Sequence, residues 1–198
     1  RLGGSILAQV YDGFGGEPPD LDSPELLRGL FDLVRDAREA GILLACHDRS
    51  GGGAFAALCE MAFASHCGLE IQLDHWGDNP FSTLFCEELG VIVQVPVDDR
   101  AEFADLVDRH GLTHCAQRIG KPLAAPRMRV LAGREILAEW GWQELFDAWW
   151  QVTHAMQALR DTPESADAER DARRDFAAPA FAPRLTFDPS ENIAAPCV

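Results

Sequence analysis

The stretch ILLACHDRSGGGAFAALCEMAFA, residues 42–64, decides how this chain is read. Residues 42–46 are a short apolar run with the length and composition of a buried strand. His47 to Gly53 follows as a glycine-rich loop, and Ala54 to Ala64 is apolar nearly all round, the mark of a buried helix. A loop between a strand and a helix lies at the C-terminal end of that strand, which is where open α/β sheets hold their ligands.

The loop HDRSGGG combines several useful groups. Gly51, Gly52 and Gly53 permit positive φ and close approach of a ligand. Their N–H groups stand at the start of a helix, where the dipole favours an anion. Asp48 is a hard oxygen ligand of the kind that holds Mg2+ beside phosphates, and Ser50 is able to cap the helix or bond a phosphate. Two readings stand side by side: an anion cradle, or a glycine-rich turn with Asp48 and Ser50 as caps. No Lys follows the glycines, so the loop is not a Walker A motif, and it is not the dinucleotide fingerprint.

Working outward, residues 3–10 predict a short helix and residues 11–22 a turn-rich loop. A helix begins at Ser23, a good N-cap, and stops at Gly41, with Leu26, Leu27, Leu30, Phe31 and Val34 at helical spacing. Beyond the central stretch, Leu69, Ile71 and Leu73 alternate as in a strand, residues 80–88 are helical, and Val91 to Val95 is a β-branched strand. Asp98 to His110 is an amphipathic helix closed by Gly111. Residues 114–119 read as a strand, 127–138 as a hairpin turning near Ala132-Gly133, and 143–160 as a final helix. This mixed order gives an α+β fold, a mixed α/β sandwich, in one domain over residues 1–160. Residues 161–183 have an acidic linker composition, and 184–198 are too short to fold alone.

Of 198 residues, 47% are hydrophobic and 25% charged, so a core can form without disulfides. The net charge of -15 repels phosphate backbones, which argues against a nucleic-acid partner but not against a nucleotide held locally. The six cysteines include no C-x-x-C pair, and Cys46, Cys59 and Cys86 lie in apolar runs, consistent with reduced thiols in the cytoplasm. No run of 18 apolar residues predicts a membrane span, and a start at Arg1 without a leader suggests an internal segment.

Other candidates carry two readings each. In Glu87-Glu88, one carboxylate faces the loop or both sit on a solvated helix end. His47 orients a ligand or packs, whereas His66, His75, His110 and His114 are core or surface residues. Cys46 and His47 point to opposite faces of a strand, which excludes a Cys/His nucleophile pair there. Trp140, Trp142, Trp149 and Trp150 anchor the last helix to the core or form an interface to another domain.

Six stretches in this order resemble the phosphoribosylformylglycinamidine synthase family, in its large single-chain type. They are LGGSILAQVYDGFG at 2–15, ACHDRSGGG at 45–53, EMAFASHCGLEI at 60–71, FCEELGVIVQV at 85–95, WQELFDAWWQVTHAMQALR at 142–160 and LTFDPSENIAAP at 185–196. The resemblance implies the C-terminal subdomain of the second synthetase half, similar to the C-terminal domain of aminoimidazole ribonucleotide synthetase. Residues 184–198 would then lead into a glutaminase domain that is absent here. It further implies an ATP-dependent ligase that converts formylglycinamide ribonucleotide to the amidine with glutamine as nitrogen donor. No catalytic residue is expected in this chain, and no cysteine here inherits the glutaminase nucleophile.

The family loop reads His-Asp-x-Ser-Asp-Gly-Gly. By resemblance Asp48 binds Mg2+ and Ser50 contacts the nucleotide, ATP or ADP. Gly51 stands where the family usually has Asp, a change that leaves the metal ligand but weakens a contact behind it. The same resemblance leaves two roles for the site, a catalytic one and a structural nucleotide scaffold. The partners it implies are small nucleotides and the missing domains of the same polypeptide.

Overall fold

A computed structural model of the chain describes residues 1–13, 15–74, 76–77, 79–178 and 184–188. His75, Cys197 and most of the 185–196 stretch lie outside the described residues. The first elements are α1 (Ile6–Val10), α2 (Pro24–Glu39), β1 (Ala45–Asp48), α3 (Gly53–Ser65), β2 (Gly68–Gln72) and α4 (Pro80–Phe85). They are followed by β3 (Val91–Gln94), α5 (Arg100–Arg109), β4 (Gly120–Leu123), β5 (Arg127–Ala132) and β6 (Glu135–Gly141). The described chain closes with α6 (Trp142–Arg160) and α7 (Pro163–Arg173).

Helices with mixed sheets make this an α+β fold, as expected. β1 and β3 pair antiparallel in a two-stranded sheet, with His47 opposite Ile92. The other sheet has the order β4-β2-β5-β6; β2 runs parallel to β5, and the remaining pairs are antiparallel. α3 packs on β1, β2 and β3 and on α4 and α6. Its all-round apolar composition follows from that central place. The main core gathers Ala54, Leu58, Ala62 and Phe63 of α3 with Ile71 of β2, Met128 and Val130 of β5, and Trp142 and Phe146 of α6. Burying each large apolar side chain stabilises the fold by roughly 2–3 kcal/mol. A second, smaller cluster joins α2 to α5 through Leu33, Ala37, Ile42, Leu106, Val107 and Leu112.

Local signals explain most boundaries. Ser23 caps α2 by accepting from the Leu26 N–H, with Pro24 at its first position. Asn79 and Pro80 do the same for α4. α3 ends at His66, whose φ of 47° is left-handed, rather than at Gly68, which opens β2. Among the described residues, no helix is long and apolar enough to cross a membrane.

Several expectations need correction. The strand expected at 42–46 is displaced to Ala45–Asp48, because Ile42 turns into the smaller core and pairing with β3 begins at Ala45. Cys46 is exposed, unlike Cys59 and Cys86. The strand expected at 114–119 is an exposed turn, in which the Cys115 and Ala116 N–H groups donate to the Leu112 carbonyl. The edge strand is β4, one step later. The helix expected over 80–88 stops at Phe85, since Cys86 is extended and residues 87–90 turn toward the loop. The acidic stretch read as linker is helical over Pro163–Arg173. It docks on α6 mainly through polar contacts: His154 with Asp167 at 2.8 Å, Gln157 with Glu169 at 3.3 Å, and Arg173 over the Trp150 ring at 5.0 Å.

The tryptophans divide. Trp142 is fully buried and stacks on Phe146, with centroids 5.2 Å apart. Trp140 belongs to β6 and packs on Phe55. Trp149, with Val152, Met156 and Leu159, forms an exposed stripe along α6.

Candidate functional site

β1 delivers the loop. Its alternation half-buries Ala45 and His47 and exposes Cys46 and Asp48, so Cys46 and His47 do lie on opposite faces. The His47 ring is held at both nitrogens: Nδ1 lies 2.7 Å from the Asp48 carbonyl oxygen, and Nε2 lies 3.0 Å from Glu60 Oε2. Glu60 also accepts from the Trp149 indole N–H at 2.9 Å, so one carboxylate on α3 ties β1 to α6. Sequence reasoning missed this link. The signal was Glu60 itself, a lone charge in an apolar helix.

Asp48 is largely exposed and its Oδ1 lies 3.5 Å from His47 Nδ1. Among the described residues no group of three His, Cys, Asp or Glu side chains converges as a metal site. Asp48 therefore supplies one hard oxygen. That suits Mg2+, which takes few protein ligands and completes its shell with phosphate and water, but it is not a self-sufficient metal centre. Ser50 is also exposed and does not cap α3, whose N-cap is Gly52 with no side-chain bond.

The three glycines differ in what they require. Gly52 and Gly53 have φ of 83° and 71°. A Cβ on Gly53 would lie 2.7 Å from the Leu84 carbonyl oxygen and from Phe85 backbone. Gly51 is under no such demand, as a Cβ there meets only Ile6 Cγ1 at 3.8 Å. The loop's amides are partly occupied by the protein itself. Gly53 N–H donates to the Ser50 carbonyl, and Gly52 N–H donates to Glu87 Oε1, each at 2.9 Å.

Glu87 thus faces the loop, and Glu88 does not. Glu88 pairs with the Arg1 guanidinium, whose hydrogen bonds hold the Glu88 carboxyl down at about 2 despite some burial. The same carboxylate contacts raise Arg1, which also bonds Asp22. Arg49 lies along the 88–90 backbone: Nε donates to the Glu88 carbonyl at 2.7 Å, Nη2 to the Leu89 carbonyl at 2.9 Å, and its N–H to the Gly90 carbonyl at 2.9 Å. Asp48 and Ser50 flank this clamped residue with their side chains outward.

Among the described residues, the other histidines are not at this site. His110 bonds Asp36 at 2.8 Å, His66 lies against Trp142, and His114 is exposed.

The sequence model of the family described as AIR synthase related protein, C-terminal domain, matches residues 1–133. The chain belongs to this family. Among solved structures, the AIR synthase related domain described here is similar to PurL of T. maritima complexed with ATP, at 19% identity and a TM-score of 0.56 over 66% of this chain and 24% of that one. It is also similar to phosphoribosylformylglycinamidine synthase II from Thermotoga maritima, at 19% identity and TM-score 0.56 over 62% and 22%. A third match is PurLQS from the same organism, at 18% and 0.56 over 63% and 22%. At these identities the likeness is one of fold. The chain spans about a quarter of the length of the chains it matches.

Proposed function

We propose that this AIR synthase related domain is the C-terminal subdomain of the second synthetase half of a phosphoribosylformylglycinamidine synthase of the large single-chain type. In that enzyme the amide oxygen of formylglycinamide ribonucleotide takes a phosphoryl group from ATP, and ammonia released from glutamine displaces phosphate to give the amidine. Asp48 is the Mg2+ ligand and Ser50 the nucleotide contact. The bound metal would neutralise phosphate charge, while the chain's own part is positioning. The observation that carries this reading is the clamped Arg49, which presents Asp48 and Ser50 outward on either side of it at the end of β1. A similar chain was solved with ATP, which supports a nucleotide as the ligand.

The missing domains of the same polypeptide are the natural partners. The exposed stripe of Trp149, Val152, Met156 and Leu159 supports this, since it is an apolar face at helical spacing awaiting cover. The net charge of -15 supports the exclusion of nucleic acid. The free thiols among the described residues fit a cytoplasmic setting. Domain limits follow as 1–160 for the subdomain, 161–183 for a connecting segment that is helical in part, and 184–198 for the lead-in to a glutaminase.

A structural nucleotide scaffold is the second reading. It is favoured by Asp48 standing without two further ligands among the described residues. Asp48→Ala in the whole ligase separates the two. Loss of turnover at unchanged melting temperature supports catalysis; loss of bound nucleotide together with thermal stability supports the scaffold. The isolated chain is expected to be inert, and amidine synthesis by it alone with ammonia supplied would sink that expectation.

A further inference from the structure

Glu87 lies outside the sequence motif, yet its carboxylate is the hub of the site. Its Oε1 accepts the Ile6 N–H at 2.8 Å and the Gly52 N–H at 2.9 Å. Both are orphan donors at helix starts, the first residue of α1 and the N-cap of α3. α3 has no cap from its own loop, because Gly52 has no side chain and Ser50 does not reach back. Glu87, 35 residues away in sequence, supplies the missing acceptor, and its negative charge suits the N-terminal end of α3.

The surroundings leave the loop little freedom. Residues 88–90 hold Arg49 by three hydrogen bonds, and the Leu84–Phe85 backbone presses on Gly53 with no room for a Cβ. Asp48 and Ser50 therefore stand where segment 84–90 puts them. Glu87 is the one member of that segment whose side chain also grips α1.

We infer that Glu87 is a positioning residue: by bonding Ile6 and Gly52 together it fixes α1 to the loop and sets where Asp48 and Ser50 stand for a nucleotide. The second half of this statement rests on the proposed reading of the loop; the first does not. The Glu87 Oε1 is taken up by two backbone N–H groups. It acts through the Gly52 amide, so an uncharged acceptor of the same shape should replace it in large part.

Two variants test this, Glu87→Leu, which has no acceptor, and Glu87→Gln, which keeps one. Backbone amide exchange is followed in this chain, and Mg·ADP is titrated into the whole ligase beside Asp48→Ala. The expected result is that Glu87→Leu speeds exchange at Ile6 and Gly52 together by about tenfold and weakens Mg·ADP by a similar factor, with Glu87→Gln restoring most of both. Unchanged exchange at either amide in Glu87→Leu would overturn the link. So would Mg·ADP affinity that falls with Asp48→Ala but not with Glu87→Leu, or a Gln variant as impaired as Leu. If Asp48→Ala leaves Mg·ADP affinity unchanged, the nucleotide reading fails, and the exchange data alone then decide for or against the α1–loop link.

Discussion

The indole N–H of Trp142 donates to the Ala62 carbonyl at 3.2 Å, joining the first turn of α6 to the last turn of α3 across 80 residues of sequence. The ring is fully buried and stacked on Phe146. Trp142→Phe keeps an aromatic ring but leaves a gap and an acceptor short of one donor. It should cost about 1–2 kcal/mol, and Trp142→Ala about 3–5 kcal/mol, in urea unfolding. Equal losses for the two variants would mean that the aromatic ring contributes nothing beyond the indole hydrogen bond.

Gly51 and Gly53 should respond oppositely to a side chain. Gly53→Ala meets both a left-handed backbone and a blocked Cβ position, so a loss of about 2–5 kcal/mol is expected. Gly51→Ala should fall within about 0.5 kcal/mol of the parent, because its Cβ would meet ordinary contact only. Thermal melts of the two variants check the contrast. The same open space means that Gly51→Asp, which restores the usual family residue, should fold as well as the parent.

Acid should weaken the fold partly through Glu88. Its carboxyl is held at about 2 in the native state by the Arg1 guanidinium, well below the 4.5 of a free glutamate side chain. A carboxyl lowered on folding stabilises above its unfolded value, and that contribution drains away as pH falls from 4.5 toward 2. Glu88→Gln should therefore flatten the acid limb of stability in that interval and leave its shape near neutrality unchanged. Urea midpoints measured for both proteins across the interval test this, and parallel curves would count against it.

Thiol reagents should divide the cysteines by burial. Burial pushes the Cys59 thiol up to about 12, and Cys86 is buried with it, whereas Cys46 and Cys115 are exposed. Peptide mapping after brief labelling near about pH 8 should find Cys46 and Cys115 modified, with Cys59 and Cys86 reacting only as fast as the chain unfolds. Prompt labelling of Cys59 would contradict the packing of α3.

Much of this was legible because it is local. The Ser23 cap, the apolar spacing of α2, the glycines after β1 and the hairpin turn at Gly133 depend on near neighbours, and each appears where the sequence predicts. What escaped is tertiary. The apolar run 42–46 signalled a strand nearby, but apolar composition does not say which residues pair, and the ladder with β3 has its register from Ala45 to Asp48. Segment 163–173 has few apolar anchors, so composition made it linker, yet Ala166 and a row of ion pairs seat it as a helix. At the site, Asp48 and Ser50 were visible as a motif. A carboxylate of Glu87-Glu88 facing the loop was one of two readings, and Glu87 takes that place through Gly52, whereas the tie from Glu60 to His47 joins elements that only the fold brings near.

The separation of the Leu33–Leu112 cluster from the main core implies two tiers of cooperativity. α2 and α5 are seated on their own six buried residues, so they can open as a unit while α3 and its sheets stay closed. Because Ile42 belongs to that outer unit and Ala45 to β1, such an opening would reach the strand that carries Asp48 from its upstream side. The site thus sits where the smaller buried cluster adjoins the strand and helix of the larger one.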